Sequence, residues 1–248
     1  MTNAITLESI RSCWARLREK GPRVHCITNT VVQGFTANVL LASGAIPSMT
    51  TDPTEIGDFA RRCDALLVNL GTMDADRREA VAVALDSAQG KPFVLDPVFV
   101  DTAEARRTFA IELLARGPSV VRGNCAEITA VCGGKPSASA AKKAATVLAV
   151  SAETDRVIDA GGERRIENGH PYAALVTGAG CALSALMAGL AAVEDDPSVA
   201  AATAFAAYGL AQQNAATHAR GPGTFAVHLL DALHALTPGE LVAMTRLS

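Results

Sequence analysis

Aromatic side chains are scarce in this chain. Phe, Tyr and Trp make up only 4% of 248 residues, although 49% are hydrophobic. Alanine, valine and leucine therefore fill the core, which suits helices packed closely on a sheet. Long apolar runs are missing too. Ala182–Val193 falls short of the roughly 20 residues that span a bilayer, and Met1 to Lys20 is polar and mixed in charge, without a signal-peptide core. Positive charge is not in excess: 22 Lys and Arg stand against 25 Asp and Glu, a formal charge of -3. With no basic cluster, nucleic acid is not an expected partner. The six cysteines form no C-x-x-C pair, and the five histidines are not grouped with them. They read as free thiols of a reducing cytoplasm. The Walker pattern G-x-x-x-x-G-K-[ST] is absent, as is a G-x-G-x-x-G after the first strand. A nucleotide would need a different phosphate-holding device.

What is present is alternation. Short apolar runs at Val24–Thr28, Ala45–Met49, Ala65–Leu70, Pro92–Asp96, Ser119–Arg122 and Val147–Val150 read as strands. Helical stretches lie between them: Phe35–Leu41 capped by Asn29 or Thr30, Ile56–Arg62, Glu79–Gln89, Phe109–Ala115, and one starting at Glu127. Arg156–Asp159 and Arg164–Glu167 flank Gly161-Gly162 as a hairpin. Beyond Gly178 the chain is mostly helical, including Val199–Ala216 and Phe225–Leu236. No linker or repeat divides the chain. Residues 1–248 read as one α/β domain with a mostly parallel sheet covered by helices on both faces.

In such a sheet, ligands sit beyond the C-terminal strand ends. Thr28-Asn29, Met49-Thr50, Asn69 with Gly71-Thr72, Asp96, Arg122-Gly123-Asn124 and Ser151 occupy those ends. The most informative stretch is Val176-Thr177-Gly178-Ala179-Gly180-Cys181. Here a small-residue turn opens into an apolar helix. Free N–H groups and the helix dipole make such a turn an anion site, and the same field is expected to lower the pKa of the Cys181 thiol. The alternative is a tight turn before a buried helix with a packed cysteine. Other positions have plain readings as well. Met49 reads as core filler, Asp96 as a turn residue, and Glu127 as a first-turn carboxylate. Arg106 and Arg107 read as a solvated face. His25 reads as a structural histidine.

Taken together, four segments resemble the hydroxyethylthiazole kinase family, thiamine-pathway members of the ribokinase-like superfamily. They are Val24–Asn29 with Phe35–Asn38, Asn69–Thr72, Arg122–Ile128 and Val176–Cys181. Gly221–Phe225 adds to the match. The resemblance implies a ribokinase-like α/β fold. It also implies ATP-dependent phosphorylation of the primary alcohol of 4-methyl-5-(2-hydroxyethyl)thiazole. It places the substrate at Met49, Asn29 and Gly178, and the nucleotide at Arg106, Ser151 and Asn124. Mg²⁺ is expected at Asp96 and Glu127. The Gly178, Ala179 and Gly180 amides would meet the phosphoryl group, and Cys181 stands where sugar-kinase relatives carry an aspartate base. A cytoplasmic homotrimer with sites between subunits is implied as well, Met49 and the Asn29 region of one chain facing Gly178 of another.

Three departures fall on the nucleotide side. After Asp96-Pro97-Val98, the family's glycine-containing loop is replaced by Phe99–Ala105. The stretch from Glu127 to Ser151 is shorter than usual, and Ala152 replaces a customary glycine. Three rival functions follow from other classes: a cysteine-nucleophile enzyme using Cys181 with His170 or His25, a catalytically weak thiazole- or nucleotide-binding protein, and an ATP-dependent dehydratase of hydrated NAD(P)H.

Overall fold

A computed structural model describes residues 5–248. Its elements follow the chain as α1 (Leu7–Lys20), β1 (Arg23–Ile27), α2 (Gln33–Ser43), β2 (Ile46–Ser48), α3 (Ile56–Arg62) and β3 (Ala65–Asn69). Then come α4 (Ala75–Ser87), β4 (Phe93–Asp96), α5 (Glu104–Leu114), β5 (Val120–Asn124), α6 (Cys125–Cys132), α7 (Ala138–Ala144) and β6 (Val147–Ser151). The hairpin β7 (Asp155–Asp159) and β8 (Gly162–Ile166) leads through a 3₁₀ turn, Pro171–Leu175, to α8 (Ala179–Ala191), α9 (Pro197–His218), α10 (Pro222–Ala235) and α11 (Pro238–Met244).

The sheet runs β2-β1-β3-β4-β5-β6-β7-β8. Its first six strands are parallel, and the hairpin is added antiparallel. Side chains alternate between faces along a strand, so strands buried on both sides are apolar throughout. Val24, Cys26, Leu67 and Val94 enter a core with α1, α2, α8 and α9. Ile27, Leu66, Val68 and Leu95 enter a second core with α3 to α7. The chain reverses its direction of growth between β1 and β3. That is the switch point where ligands bind in such sheets.

One helix goes unread in the sequence and two local expectations are corrected. The segment before Lys20 is an amphipathic helix with Ile10, Cys13, Trp14 and Leu17 buried, and Trp14 Nε1 donates to the Leu236 carbonyl at 3.0 Å. Its apolar residues recur at helical spacing, although the average composition is polar; residues 1–4 lie outside the described part. Neither Asn29 nor Thr30 caps α2, whose N-cap Val32 makes no side-chain cap bond. The helices expected at Glu79–Gln89 and Phe109–Ala115 start earlier, α4 being capped by Asp74.

Candidate active site

Successive strand ends hand a polar line across the sheet. After β1, the buried Asn29 points its Nδ2 at Asn69 Oδ1 (3.3 Å) and at Cys181 Sγ (3.5 Å). This explains why it caps nothing. Asn69 ends β3 and donates to Asp96 Oδ2 at 2.9 Å. Asp96 ends β4, and the same oxygen accepts from Ser184 Oγ of α8 at 2.7 Å. Arg122 of β5 brings Nη1 to 4.0 Å from that oxygen. Its Nε and Nη2 donate to Ser151 Oγ of β6 at 3.0 and 2.7 Å.

The α8 N-terminus closes over this line. Gly178 is its N-cap with φ 87, and a Cβ there would fall 2.5 Å from Val32 Cγ1. That backbone region favours glycine. Gly180 lies in the first turn of α8, where a Cβ would come 2.8 Å from Arg122 Nη1. Glycine at this position therefore admits the guanidinium. The expected cradle is narrower by one donor, because the Ala179 N–H already bonds the Val176 carbonyl at 3.2 Å. The N–H groups of Gly178 and Gly180, and that of Cys181 beyond the expected set, make no backbone hydrogen bond among the described residues, and Gly180 lies beside Arg122.

A cleft of about 820 Å³ opens here, lined by Arg122, Ser151, Gly180, Leu183, Tyr208 and Gln212 among others. Another surface cleft, of about 490 Å³, lies by Phe93 and Ser119 at the opposite ends of the strands.

The Cys181 thiol does not follow the expectation of a lowered pKa. Burial pushes it up to about 11, and the Asp96 charge adds to the rise. Hydrogen bonds from Asn69 and Asn29 and the Arg122 charge offset only part of this. Desolvation outweighs the partial charge of the helix terminus, so Cys181 is a neutral thiol at pH 7. Burial also raises the Asp96 carboxyl, against the pull of Arg122 and Ser184.

The other anticipated residues are placed as follows. Asn124 and Glu127 form a reciprocal N-terminal cap on α6, at 2.9 and 2.8 Å, and the second Glu127 oxygen accepts the Phe99 N–H at 2.9 Å. Arg106 sits on α5 with Nη1 on the Val98 carbonyl at 2.6 Å, and it is not among the residues lining the Arg122 cleft. Met49 follows β2, half-buried against the core that holds α2 and α8. His25 is buried and satisfied by Ser48 Oγ and the Thr50 carbonyl at 2.8 and 3.0 Å, and burial lowers its pKa.

The match to known proteins spans this whole frame. The model of the hydroxyethylthiazole kinase family matches residues 14–139 and 135–239. A hydroxyethylthiazole kinase of Clavibacter sepedonicus is 48% identical, over 93% of this chain and 90% of that protein. The chain belongs to the hydroxyethylthiazole kinase family. A probable hydroxyethylthiazole kinase of Agrobacterium fabrum is 43% identical, over 94% of this chain and 92% of that protein. The solved structure of a family protein from Pyrococcus horikoshii superposes with a TM-score of 0.93 at 35% identity, covering 97% of this chain and 98% of that one. A ribokinase-like superfamily protein of Enterococcus faecalis shares the fold alone, at TM-score 0.69 and 14% identity, over 92% of this chain and 94% of that one.

Where the resemblance led to the expectation of a glycine-containing loop, Phe99 has a left-handed backbone with φ 54 and is 66% exposed. Glu127 holds this turn through the Phe99 N–H. Sequence reasoning gave Arg122 and Tyr208 no role. Arg122 stood among the strand-end residues and opened one of the segments that carry the resemblance, and those two positions were the available signal. Among the described residues, no group of three or more His, Cys, Asp or Glu side chains is placed to hold a metal ion. The oxygen chemistry of Asp96 and Glu127 nevertheless fits Mg²⁺ held largely through water. Asp96 Oδ1 takes part in none of the hydrogen bonds above, and the Glu127 charge raises the Asp96 pKa, so a cation between these carboxylates would relieve a repulsion.

Proposed function

We propose that this protein transfers the γ-phosphoryl group of ATP to the primary alcohol of 4-methyl-5-(2-hydroxyethyl)thiazole, in thiamine biosynthesis or salvage. The observation that carries this reading is the meeting of the Arg122 guanidinium with two open amides at the N-terminus of α8, in a member of this family. Phosphoryl transfer places charge on equatorial oxygens, so fixed donors and positive charge dominate its catalysis. The Gly180 and Cys181 amides face that charge. Arg122, held flat by Ser151, presents Nη1 beside them. Ser151 acts in this scheme by holding Arg122 for the nucleotide. Asn124 and Glu127 shape the α6 terminus next to it. Arg106 braces the loop after Pro97.

Asp96 and Glu127 would hold Mg²⁺, which when bound supplies charge neutralisation at the phosphate oxygens. Asn69 and Ser184 orient Asp96 for that task. Asn29, Met49 and Gly178 border the thiazole position. Cys181 reaches the same line of groups through Asn29. As a neutral thiol it is a poor proton acceptor, and the loose transition state needs little from a base because the alcohol keeps its proton late.

We also infer a cytoplasmic homotrimer. The exposed apolar side chains Val31, Leu41, Ile46, Leu175 and Val227 lie on or beside α2, β2, the 3₁₀ turn and α10, elements that pack in a series next to the open sheet edge at β2. Such a face supports burial between copies. Sedimentation across a dilution series, with activity followed in parallel, tests assembly; a fully active monomer refutes sites shared between chains.

The deciding experiment is ATP turnover with hydroxyethylthiazole against a panel of other small alcohols, with and without Mg²⁺. The expected result is Mg²⁺-dependent thiazole phosphate. Phosphorylation of another alcohol in preference, or thiazole binding without ATP consumption, overturns the reading.

A further inference from the structure

Asp155 has no part in the roles above. It opens β7, and the antiparallel register of β6 and β7 pairs Val150 with Arg156. One step further out, Ser151 and Asp155 face each other as the ends of the two strands. Opposed residues of such a pair lie about 5 Å apart at Cα and project from the same face. Asp155 therefore stands one strand beyond the Ser151 hydroxyl that holds Arg122, and all three line one cleft.

Only one of its carboxylate oxygens is used. Oδ1 accepts the Ala152 N–H at 3.0 Å, which fixes the side chain across the turn between the strands. Oδ2 accepts no hydrogen bond among the described residues. The residue is partly exposed, and this oxygen, unlike the Tyr208 hydroxyl, is not sealed from the cleft. Arg122 is near enough for its charge to lower the Asp155 pKa, yet its ion pair is with Asp96. Burial still pushes the carboxyl up to about 7, so the free protein supplies this group with too few donors.

The cleft is polarised along its length. Arg122 and the Gly180 amide offer donors at one end, and Asp155 offers an acceptor two strands away, roughly 10 Å at the usual strand spacing. A nucleotide whose terminal phosphate meets the Gly180 amide runs past Ser151 with its phosphates and reaches Asp155 with its sugar. An ionised carboxylate only accepts hydrogen bonds; it repels phosphate and is satisfied by hydroxyls. Dinucleotide sites hold ribose with a carboxylate in the same chemical way. We propose that Asp155 is a specificity-determining residue, whose free carboxylate oxygen accepts a hydrogen bond from a ribose hydroxyl of the nucleotide and so selects ribonucleoside over deoxyribonucleoside triphosphates. This rests on the phosphoryl-transfer reading.

The test compares ATP, 2′-deoxy-ATP and 3′-deoxy-ATP on the parent protein and on Asp155→Ala. Turnover and thermal stabilisation by each nucleotide are measured with Mg²⁺ at about pH 8, where this carboxyl is ionised. A hydrogen bond to a charged group sets the expected loss: kcat/KM of the parent falls about 10- to 100-fold for at least one deoxy analogue. In Asp155→Ala, kcat/KM for ATP drops to the level of that analogue, and the two nucleotides become equivalent within about twofold. A merely structural role would weaken all three nucleotides alike and leave their ratios unchanged. The proposal is overturned by a parent that uses both analogues as well as ATP, or by a variant that keeps the parent's discrimination. Should the alanine variant not fold, Asp155→Asn keeps Oδ1 for the Ala152 N–H and replaces the free oxygen by an amide; undiminished discrimination there overturns the proposal equally. Should the parent bind ATP without transferring phosphate to the thiazole, the functional reading fails by itself, and the stabilisation by ATP against its deoxy analogues still decides the role of Asp155. Should ATP neither turn over nor stabilise the parent, both are refuted.

Discussion

Gly178 and Gly180 are two residues apart in one turn, yet alanine should act on them in opposite ways. At Gly178, φ is 87 and an added Cβ would meet Val32 Cγ1 at 2.5 Å and Val32 Cβ at 2.7 Å. The left-handed backbone costs roughly 1–2 kcal/mol for a non-glycine residue, and overpacking adds about 1–3 kcal/mol. For a chain of this size, about 1 kcal/mol shifts Tm by about 2–4 °C. Gly178→Ala should therefore lower Tm by about 5–15 °C. At Gly180 the backbone is helical, and the atoms in the way are the Arg122 guanidinium nitrogens at 2.8 and 3.2 Å. A side-chain tip can move, and alanine improves helix propensity by up to about 1 kcal/mol. Gly180→Ala should keep or raise Tm. The displaced guanidinium loses its fork on Ser151, however, and turnover should fall on the order of 10²-fold, as for the loss of one charge-stabilising donor. Differential scanning fluorimetry and coupled ADP release measure the two effects. A Gly180→Ala protein that is destabilised yet fully active would refute the reasoning, as would a Gly178→Ala protein with an unchanged melting point.

Other outcomes follow from the same geometry. Cys181→Asp should retain or exceed parent turnover, because a carboxylate ionises far more readily than a thiol held at about 11, while Cys181→Ala loses part of the rate; an inactive, folded Asp variant, or a covalent intermediate in intact-mass spectra, would exclude proton acceptance. Asp155, beside the cleft, has a carboxyl pushed up to about 7 by burial, against the Ala152 N–H and Arg122. Its folded pKa exceeds its unfolded value of about 3.9, so between those values the folded state binds more protons, and stability falls as pH rises from about 4 to about 7. Asp155→Asn should flatten that fall in Tm measured from pH 4 to 8; an identical pH profile would refute the shift. Phe99→Gly should raise Tm by about 1–4 °C, since relief of the left-handed backbone outweighs the added freedom of the unfolded chain, and a lower Tm would show that the exposed ring has a packing role.

The strand-and-helix alternation, the two apolar faces and the glycine turn that opens α8 were all legible in the sequence, because each is a local pattern of period or of small residues. So were the strand-end residues Asn29, Asn69, Asp96 and Ser151, once a parallel sheet was inferred. The first helix was missed because a polar average hid the spacing of Ile10, Cys13, Trp14 and Leu17. What the tertiary structure alone decided depends on distance across the sheet. Arg106 and Arg122 were both in view in the sequence, and only strand packing put Arg122 beside Asp96, Ser151 and Gly180 while leaving Arg106 on α5, bonded to the Val98 carbonyl. The thiol of Cys181 looked activated by its helix terminus, whereas burial beside Asp96 keeps it neutral. Tyr208 carries no motif at all. Its hydroxyl is buried without a hydrogen-bond partner among the described residues only because α9 packs on α8 and is held by Asn168 and His170, far away along the chain. Local order can be read from neighbouring residues, but charge and solvation are set by groups that only folding brings together.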